Sequence, residues 1–551
     1  MENKFYRYQA FPFFLAILSI YILLIIYLDN TNITTSNGFY KSIDSNGWEK
    51  GTRHAVDSGG LLYAFSMGMI SKFIPDSLVS FYGEITNFVA YRKLAWINSF
   101  FGAASSTVVQ VLAYQVTKDK IWSLGTAFVH AFSAFILINS IISEDIIPGY
   151  FFFVLSFLFL YKALEGSHVR LFLAGSTLSV IAMMLLHWSL FPPLAASYFV
   201  VLCFLTYHER AYLRFFFEQF FILIVVLYIF SKLATFFASG KYNIDLSVWS
   251  ILYPNKAGPG SWVGFDWIKL ACLYEGVGNY LIGGKNVGVP FSGDFSHVIR
   301  NIISWSITLS SVVFLLIMFF KEEKKNLKII ALFGLSIFFF GECQNLYGQP
   351  QDPQFQVQPM FILTTCLICL NFLRPAIKNS MRIVMLVFAL IIGIDNFVAL
   401  QPYCSGDGIM VRGYKEFRDH FPKDSTKIVH LAYEGWSPWL MLFDYEGDFK
   451  VYLKDVTCLN TPFHFTPGIS VKDGAQQIMS DIDAALALGK RVIVTVPWVD
   501  PDYIYALRAQ NLTKDQTIEL RKILLEHYQT KSTYKLKWGE FAEIEKRKSN
   551  D

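Results

Sequence analysis

Two acidic positions in the sequence have residue types that can do chemistry. The first is Asp57, within the segment 53–63, and the second is the pair Glu144-Asp145, which stands shortly before Pro148. A carboxylate can act as a general base that takes the proton from an acceptor hydroxyl, amine or amide while that group attacks a carbon. A purely structural interpretation stays open for both positions. Acidic residues such as Asp57 are common in outer loops, where Lys and Arg are not selected, and Glu144-Asp145 with the nearby Pro148 is also typical of a helix N-cap and first turn.

The elements that must position these carboxylates are membrane helices. The 551 residues are 54% apolar and only 16% charged, whereas soluble proteins carry roughly 25% charged residues. Apolar residues come in blocks of about 20, the length that crosses a hydrocarbon core about 30 Å thick. This composition excludes a disordered or collagen-like chain. The net charge of +4, with its basic residues in short clusters between apolar blocks, indicates membrane topology and no nucleic-acid partner.

The apolar blocks predict about eleven transmembrane spans. Their expected limits are 10–28, 93–116, 121–142, 147–163, 170–188, 191–207, 214–237, 299–320, 327–342, 357–373 and 380–400. With a cytoplasmic N-terminus, Lys and Arg fall in the predicted inner connections, and the short outer connections at 143–146, 189–190 and 343–356 contain neither. The positive-inside rule therefore supports this orientation and puts the C-terminal segment outside.

Three predicted outer parts lie around this bundle. They are loop 29–92, loop 238–298 and the tail 401–551. The tail alternates strand-like runs, at 427–431, 449–453 and 491–496, with helical patterns at 474–488, 500–510 and 514–528. This pattern predicts a small α/β domain. The expected organisation is a transmembrane domain over 1–400 and an extracytoplasmic α/β domain over 401–551.

The pattern resembles the GT-C superfamily of glycosyltransferases that use polyprenyl-phosphate sugars, which includes protein O-mannosyltransferases and lipid A aminoarabinose transferases. The resemblance rests on Asp57 in the first outer loop, on 143–148 at the outer turn between spans three and four, and on Arg92 before span two. It covers residues 1 to about 400 in layout. The His-Pro-Pro that follows the acidic residue in some relatives is Ser-Gly-Gly here, and the Trp-Trp-Asp-Tyr-Gly signature of oligosaccharyltransferases is absent.

The resemblance implies an enzyme, a hexosyl- or pentosyltransferase, in a bacterial inner membrane with its active site at the outer face. Asp57 is the expected general base, and Glu144 and Asp145 would position the acceptor, bind a metal or share that role. A lipid-linked phosphate leaves without protonation, so cations or backbone N–H groups must hold its oxygens. The residues expected to bind the donor or its phosphate are Arg53, His54, Arg92, His187, Lys256, Gln351, Asp352 and Gln354.

Several alternatives stay open at this stage. His187 also suits a helix end beside an interfacial Trp, the Gln-rich turn 347–359 suits a rigid polar cap, and loop 238–298 suits an aromatic loop lying on lipid headgroups. A divalent cation such as Mg²⁺ or Mn²⁺, held by the three carboxylates, fits some relatives and not others. The rival function is a multi-pass transporter or lipid flippase. Transporters typically carry ionisable residues in mid-span and repeated halves, whereas the acidic groups here are predicted at one surface.

Overall fold

The computed structural model describes the chain over the following ranges: 6–27, 63–79, 86–143, 146–166, 168–187, 190–208, 213–214, 217–225, 228, 268–282, 295–347, 356–372, 375–400, 416–429, 470–496, 514–536 and 539–547. Up to residue 400 these ranges are mostly helical. The helices are α1 Phe11–Tyr27, α2 Tyr63–Ser71, α3 Thr86–Thr117, α4 Lys120–Phe132, α5 Ala134–Ile141, α6 Ile146–Leu164, α7 Val169–Leu186, α8 Phe191–His208, α9 Ile268–Asn279, α10 Phe295–Lys321, α11 Lys325–Tyr347, α12 Val357–Leu370 and α13 Pro375–Leu400.

The predicted class, a polytopic helical membrane protein, is confirmed. Six of the described helices are long and apolar enough to cross a membrane, and a bent pair of helices brings the number up to seven. Two shorter apolar helices, Pro192–Tyr207 and Val357–Leu370, lie at two further predicted spans. The predicted span 214–237 is described only at 213–214, 217–225 and 228. Every other predicted span falls on a described helix.

The third predicted span, 121–142, is not one continuous helix as the sequence predicted. It consists of α4 and α5, which meet at an angle of 60°. Ser133 ends α4 through a bond from its N–H to the Val129 carbonyl at 3.1 Å. Its hydroxyl also accepts from Ile136 N at 3.5 Å at the start of α5. A serine that caps a helix and offers its own hydrogen bonds favours such a break, but the apolar periodicity on both sides conceals it.

Residues 280–282, at the end of α9, pack against this helix break (132–135). Two amides at the start of α5 donate to carbonyls of that segment: Ala134 N to Leu281 O at 3.0 Å, and Phe135 N to Tyr280 O at 2.9 Å. The Asn396 side chain of α13 donates from Nδ2 to Phe132 O at 2.8 Å and to Leu281 O at 2.9 Å. Irregular backbone inside a membrane protein requires such internal partners, because lipid supplies none.

Aromatic side chains dominate the core between α6, α11 and α12. The rings of Phe157 and Phe333 stack with centroids 4.5 Å apart. Phe361 meets both rings edge-on, at 5.4 and 5.8 Å. Offset-stacked and edge-to-face pairs are the favoured aromatic arrangements, so the phenylalanine richness of the sequence is used here for specific helix packing.

The predicted inner connections lie at one end of the bundle. Asp119 caps α4 by accepting from Ile121 N and Trp122 N, and its other carboxylate oxygen pairs with Arg382 of α13. Lys162, at the end of α6, donates to Gln115 Oε1 of α3 at 2.8 Å. These contacts join connections that the sequence predicts on the same side of the membrane.

The C-terminal ranges contain a four-stranded sheet. Its strands are β1 Thr426–Ile428, β2 Arg491–Thr495, β3 Tyr528–Leu536 and β4 Gly539–Lys546, in the order β1-β2-β4-β3, with β1 and β2 parallel and the other pairs antiparallel. The helices α14 Val471–Ala487 and α15 Lys514–His527 supply a buried apolar core with this sheet. The sequence predicted β1, β2, α14 and α15. The predicted segments 449–453 and 500–510 lie outside the described residues.

The hairpin of β3 and β4 escaped the sequence analysis because it carries many charged residues. Its Glu543 is nevertheless buried, at 4% exposed. Burial alone would raise the pKa of this carboxyl, but hydrogen bonds from Lys531, Arg491 and Tyr534, at 2.8, 2.9 and 3.0 Å, outweigh burial and hold the pKa below its ordinary value. A charged residue can therefore be buried in a central strand when it is paired. The composition of the segment does not show this pairing and so does not predict a buried strand.

Candidate active site

Two of the predicted site residues, Arg92 and His187, are within the described part of the chain. Asp57, Glu144 and Asp145 lie outside it, as do the remaining predicted donor-binding residues, which are Arg53, His54, Lys256, Gln351, Asp352 and Gln354. The structure does describe segments that flank some of these residues in the chain, at 63–79, 86–143 and 146–166.

Arg92 is buried near the N-terminal end of α3, with 2% of its surface exposed. Its Nη1 donates to Val79 O at 2.9 Å, and the neighbouring Lys93 pairs with Asp76 at 2.5 Å. The segment 76–79 of the first predicted outer loop is thus held against α3. An arginine has five N–H donors, so the bond to Val79 is compatible with the phosphate-binding role, which stays a prediction.

The end of α5 lies beside the same part of α3. Asn98 Nδ2 donates to Ile142 O at 2.6 Å, and Ser99 Oγ donates to Ser140 O at 2.9 Å. Both acceptors come just before the predicted acidic pair in the chain. Because one helical turn rises about 5.4 Å, the six residues from Arg92 to Asn98 place that arginine within about 9 Å of this contact along the helix axis.

His187 ends α7 and is buried, with 8% of its surface exposed. It packs closely over Gly149 of α6, where an added Cβ would come within 2.7 Å of the histidine Cβ. Gly149 follows the predicted acidic pair by four residues. The glycine therefore permits the end of α7 to approach the start of α6.

An apolar cluster joins these segments. It contains Tyr63 and Met67 of α2, Leu94 and Ile97 of α3, and Leu186 of α7. Its members stand near Asp57, Arg92 and His187 in the chain. The described neighbours of three predicted site residues thus meet at one end of the bundle. The described part of the apolar run 61–74 buries Tyr63 and Met67 against α3 and α7 and exposes Met69, Ile70 and Phe73. The prediction from the sequence that this run lies along the membrane surface is not tested by these contacts.

The described residues contain no group of three or more His, Cys, Asp or Glu side chains that could hold a metal ion. The three carboxylates to which the sequence analysis gave that role are outside those ranges. A metal requirement accordingly stays a prediction.

The comparisons with known proteins extend the layout to nearly the whole chain. No protein-family model matches the sequence. A search of curated proteins finds no match either. Among solved structures, the crystal structure of ArnT from Cupriavidus metallidurans bound to undecaprenyl phosphate superposes with a TM-score of 0.51 and 10% sequence identity, covering 96% of this chain and 97% of that one.

The chain has a GT-C fold. This confirms the resemblance in the sequence at the level of the fold, and the likeness extends beyond residue 400 into the C-terminal ranges. At 10% identity it does not transfer the function of individual residues.

The sequence analysis missed one buried acidic residue near the end of α11, close to the start of α12. Glu342 is the last residue of the apolar span predicted over 327–342, it lies inside the observed span Lys325–Leu346, and it is 8% exposed. It accepts from Asn345 Nδ2 at 3.2 Å. The signal was available, because an acidic residue inside an apolar span is rare and costly and so marks a functional candidate.

Proposed function

We propose that this protein is a membrane glycosyltransferase that moves a sugar from a polyprenyl-phosphate donor to an extracytoplasmic acceptor. The observation that carries the proposal is the fold shared along 96% of the chain with ArnT, whose crystal structure contains bound undecaprenyl phosphate. The acceptor is a glycan, lipid or protein, and the sugar is a hexose or pentose. The proposed location is a bacterial inner membrane, with the N-terminus in the cytoplasm and residues 401–551 in the periplasm.

In the proposed mechanism, an outer carboxylate deprotonates the acceptor as it attacks the anomeric carbon of the sugar. The bond from that carbon to the phosphate oxygen breaks, and the polyprenyl phosphate leaves as an anion. Asp57 is the proposed base, with Glu144 and Asp145 orienting the acceptor. Arg92 and His187 are the described candidates for holding the phosphate, since hydrogen bonds to charged donors stabilise the negative charge on its oxygens.

The proposed site is supported by the way in which the described flanking segments meet. The cluster of Tyr63, Leu94 and Leu186 ties together α2, α3 and α7, and the bond from Asn98 to Ile142 O brings the end of α5 to the same part of α3. Rigid elements packed in this way suit a site whose geometry must be kept within a fraction of an ångström.

The first experiment tests the base. Asp57→Asn removes the proposed general base, whose loss usually costs about 100-fold or more in rate, and Asp145→Asn removes a carboxylate proposed to orient the acceptor. Made separately, both variants are expected to lose transfer, with normal expression and membrane insertion. Asp76→Asn is the matched control in the same outer loop, because the Asp76 side chain is mostly exposed and has no assigned role in the reaction, and we expect near-normal transfer. Wild-type transfer in both Asp57→Asn and Asp145→Asn would remove the assignment of the base.

A second experiment separates transfer from transport and identifies the substrates. Mass analysis of envelope glycans and lipids from a deletion strain is expected to show an acceptor lacking one sugar. Purified protein in proteoliposomes should then form that sugar–acceptor bond from a polyprenyl-phosphate donor. Movement of the lipid-linked sugar across the bilayer with no covalent transfer would instead establish a flippase.

A further inference from the structure

The carboxylate–amide group, consisting of Glu342, Asn345 and Gln358, is an unusual feature of the bundle. Its members are 8%, 6% and 4% exposed. Asn345 Nδ2 lies 3.2 Å from Glu342 Oε2 and 3.4 Å from Gln358 Oε1, so one amide connects the carboxylate of α11 to the glutamine of α12. The group therefore spans the contact between two neighbouring helices.

The group lies at the end of α11 that faces away from the lysine-rich connection before that helix. Glu342 precedes the end of the helix at Tyr347 by five residues, or about 8 Å at 1.5 Å per residue. Gln358 is the second residue of α12. Glu342 and Gln358 therefore lie near the ends of α11 and α12 that the sequence predicts at the outer face of the membrane. The proposed transfer takes place at that face.

The hydrogen bonding of Glu342 is incomplete within the described part of the chain. Its Oε1 is buried and has no hydrogen-bond partner there. A carboxylate accepts at about four positions, and a buried polar atom left without a partner costs about 1–3 kcal/mol or more. Such an acidic residue inside an apolar span is a candidate for ligand binding by default. A hydrogen-bond donor on a bound ligand would satisfy Glu342 Oε1.

A glycine in α11 leaves space beside the carboxylate–amide group for the Gln358 side chain. Gly341 lies directly under that side chain, and a Cβ at this glycine would come within 2.0 Å of Gln358 Cγ. Small residues permit such close approach between membrane helices. Gly334, seven residues earlier on the same helix, faces Thr365 in the same way, with a Cβ position 2.4 Å from Thr365 Oγ1, but it lies away from the carboxylate–amide group.

We infer that the carboxylate–amide group is a subsite for the sugar of the lipid-linked donor, with Glu342 accepting hydrogen bonds from sugar hydroxyls. The inference rests on the proposed function. Sugar hydroxyls are donors, and amide side chains supply both donors and acceptors for the ring. A carboxylate repels a phosphate, so the phosphate of the donor is bound elsewhere.

The test compares a donor with and without its sugar. Purified full-length protein in detergent is titrated, with native mass spectrometry as the readout, against undecaprenyl phosphate. It is also titrated against undecaprenyl phosphate carrying a hexose, an N-acetylhexosamine or an amino-pentose. Wild-type protein is expected to bind at least one glycosylated lipid more tightly than undecaprenyl phosphate itself. If all three bind no more tightly, the subsite is refuted.

Two variants address the group and one serves as control. Glu342→Ala and Gly341→Ala are expected to weaken binding of the preferred glycosylated lipid by about tenfold, equivalent to about 1.4 kcal/mol, and to leave the affinity for undecaprenyl phosphate within about twofold. Gly334→Ala introduces the same methyl group against α12 away from the carboxylate and should change neither affinity. Equal weakening of both ligands by Glu342→Ala would show a structural role and overturn the subsite, as would equal effects of the two glycine variants.

Undecaprenyl phosphate binding separates this inference from the function on which it rests. If wild-type protein binds neither undecaprenyl phosphate nor its glycosylated forms, the proposed function fails. If it binds undecaprenyl phosphate and the variants do not discriminate the sugar, only the subsite fails.

Discussion

Asn396 holds the helix break (132–135) to the segment 280–282, and replacing it with leucine tests whether that contact fixes the break. Leucine keeps the approximate volume of the side chain and removes both donors of the amide. The carbonyl of Leu281 retains the bond from Ala134 N at 3.0 Å, so the larger effect falls on the carbonyl of Phe132, which Asn396 reaches at 2.8 Å.

The expected effect follows from these two bonds. Leaving a buried acceptor without its partner costs about 1–3 kcal/mol, and the second acceptor keeps one bond, so we expect about 2–3 kcal/mol in the free energy of opening the break. At 1.4 kcal/mol per factor of ten, this corresponds to about 30- to 140-fold faster exchange of the protected amides. The faster exchange should be clearest for the α5 amides that donate hydrogen bonds to residues 280–282.

Hydrogen exchange by mass spectrometry on the intact protein measures this opening locally. Peptides covering 132–137 and 278–282 are expected to exchange faster in Asn396→Leu, and peptides from α6 should exchange as in wild type. Asp395→Asn is the control, because it alters the neighbouring residue, which pairs with Arg300, and leaves the Asn396 amide in place. Unchanged exchange at the break, or equal acceleration throughout the bundle, would refute the reasoning.

Two further predictions concern charged groups. Asp119→Ala removes both the cap of α4 and the partner of Arg382, so the thermal midpoint in detergent should fall as the protein loses about 1 kcal/mol for the cap alone and more for the buried pair. Asp119→Asn keeps a capping oxygen and should fall less, and equal falls would contradict the capping role. In the C-terminal sheet, the lowered pKa of Glu543 means that its ion pairs with Lys531 and Arg491 stabilise the fold above the ordinary glutamate pKa of about 4.3 and lose that effect as the pH falls below it. Glu543→Gln should therefore lower the protection of β4 by about 1.5–3 kcal/mol at neutral pH, with the difference from wild type shrinking on acidification in hydrogen exchange corrected for intrinsic pH dependence. A difference that does not depend on pH would contradict the ionised state of this carboxyl.

Much of the fold was predictable because membrane burial leaves a strong signal in sequence. A helix that crosses a hydrocarbon core needs about 20 apolar residues, and the predicted spans other than 214–237 therefore fall on described helices. In the tail, β2 and α14 were predicted from alternation and helical periodicity. The β3–β4 hairpin was missed because pairing neutralises Glu543 in the folded state, and composition does not record pairing.

The candidate site was predictable in part. The sequence indicated Arg92 and His187 by their places at helix ends, and the structure brings their neighbours Leu94 and Leu186 into one cluster. It did not indicate how an acid within a span is accommodated. The Asn345 amide on the same helix donates a hydrogen bond to Glu342 and also contacts Gln358 on the next helix. Gly341 leaves the space that the Gln358 side chain occupies.

The sequence by itself determined that this is a helical membrane protein, where most of its spans lie and which connections are basic, because each of these depends on local composition measured against a bilayer. Only the tertiary structure decided that the third predicted span is broken into α4 and α5, and that Asn396 and residues 280–282 form hydrogen bonds with the backbone groups at that break. It also decided that Glu342, Asn345 and Gln358 come together. The physical reason is that these features depend on contacts between different helices and segments, and packing chooses the partners.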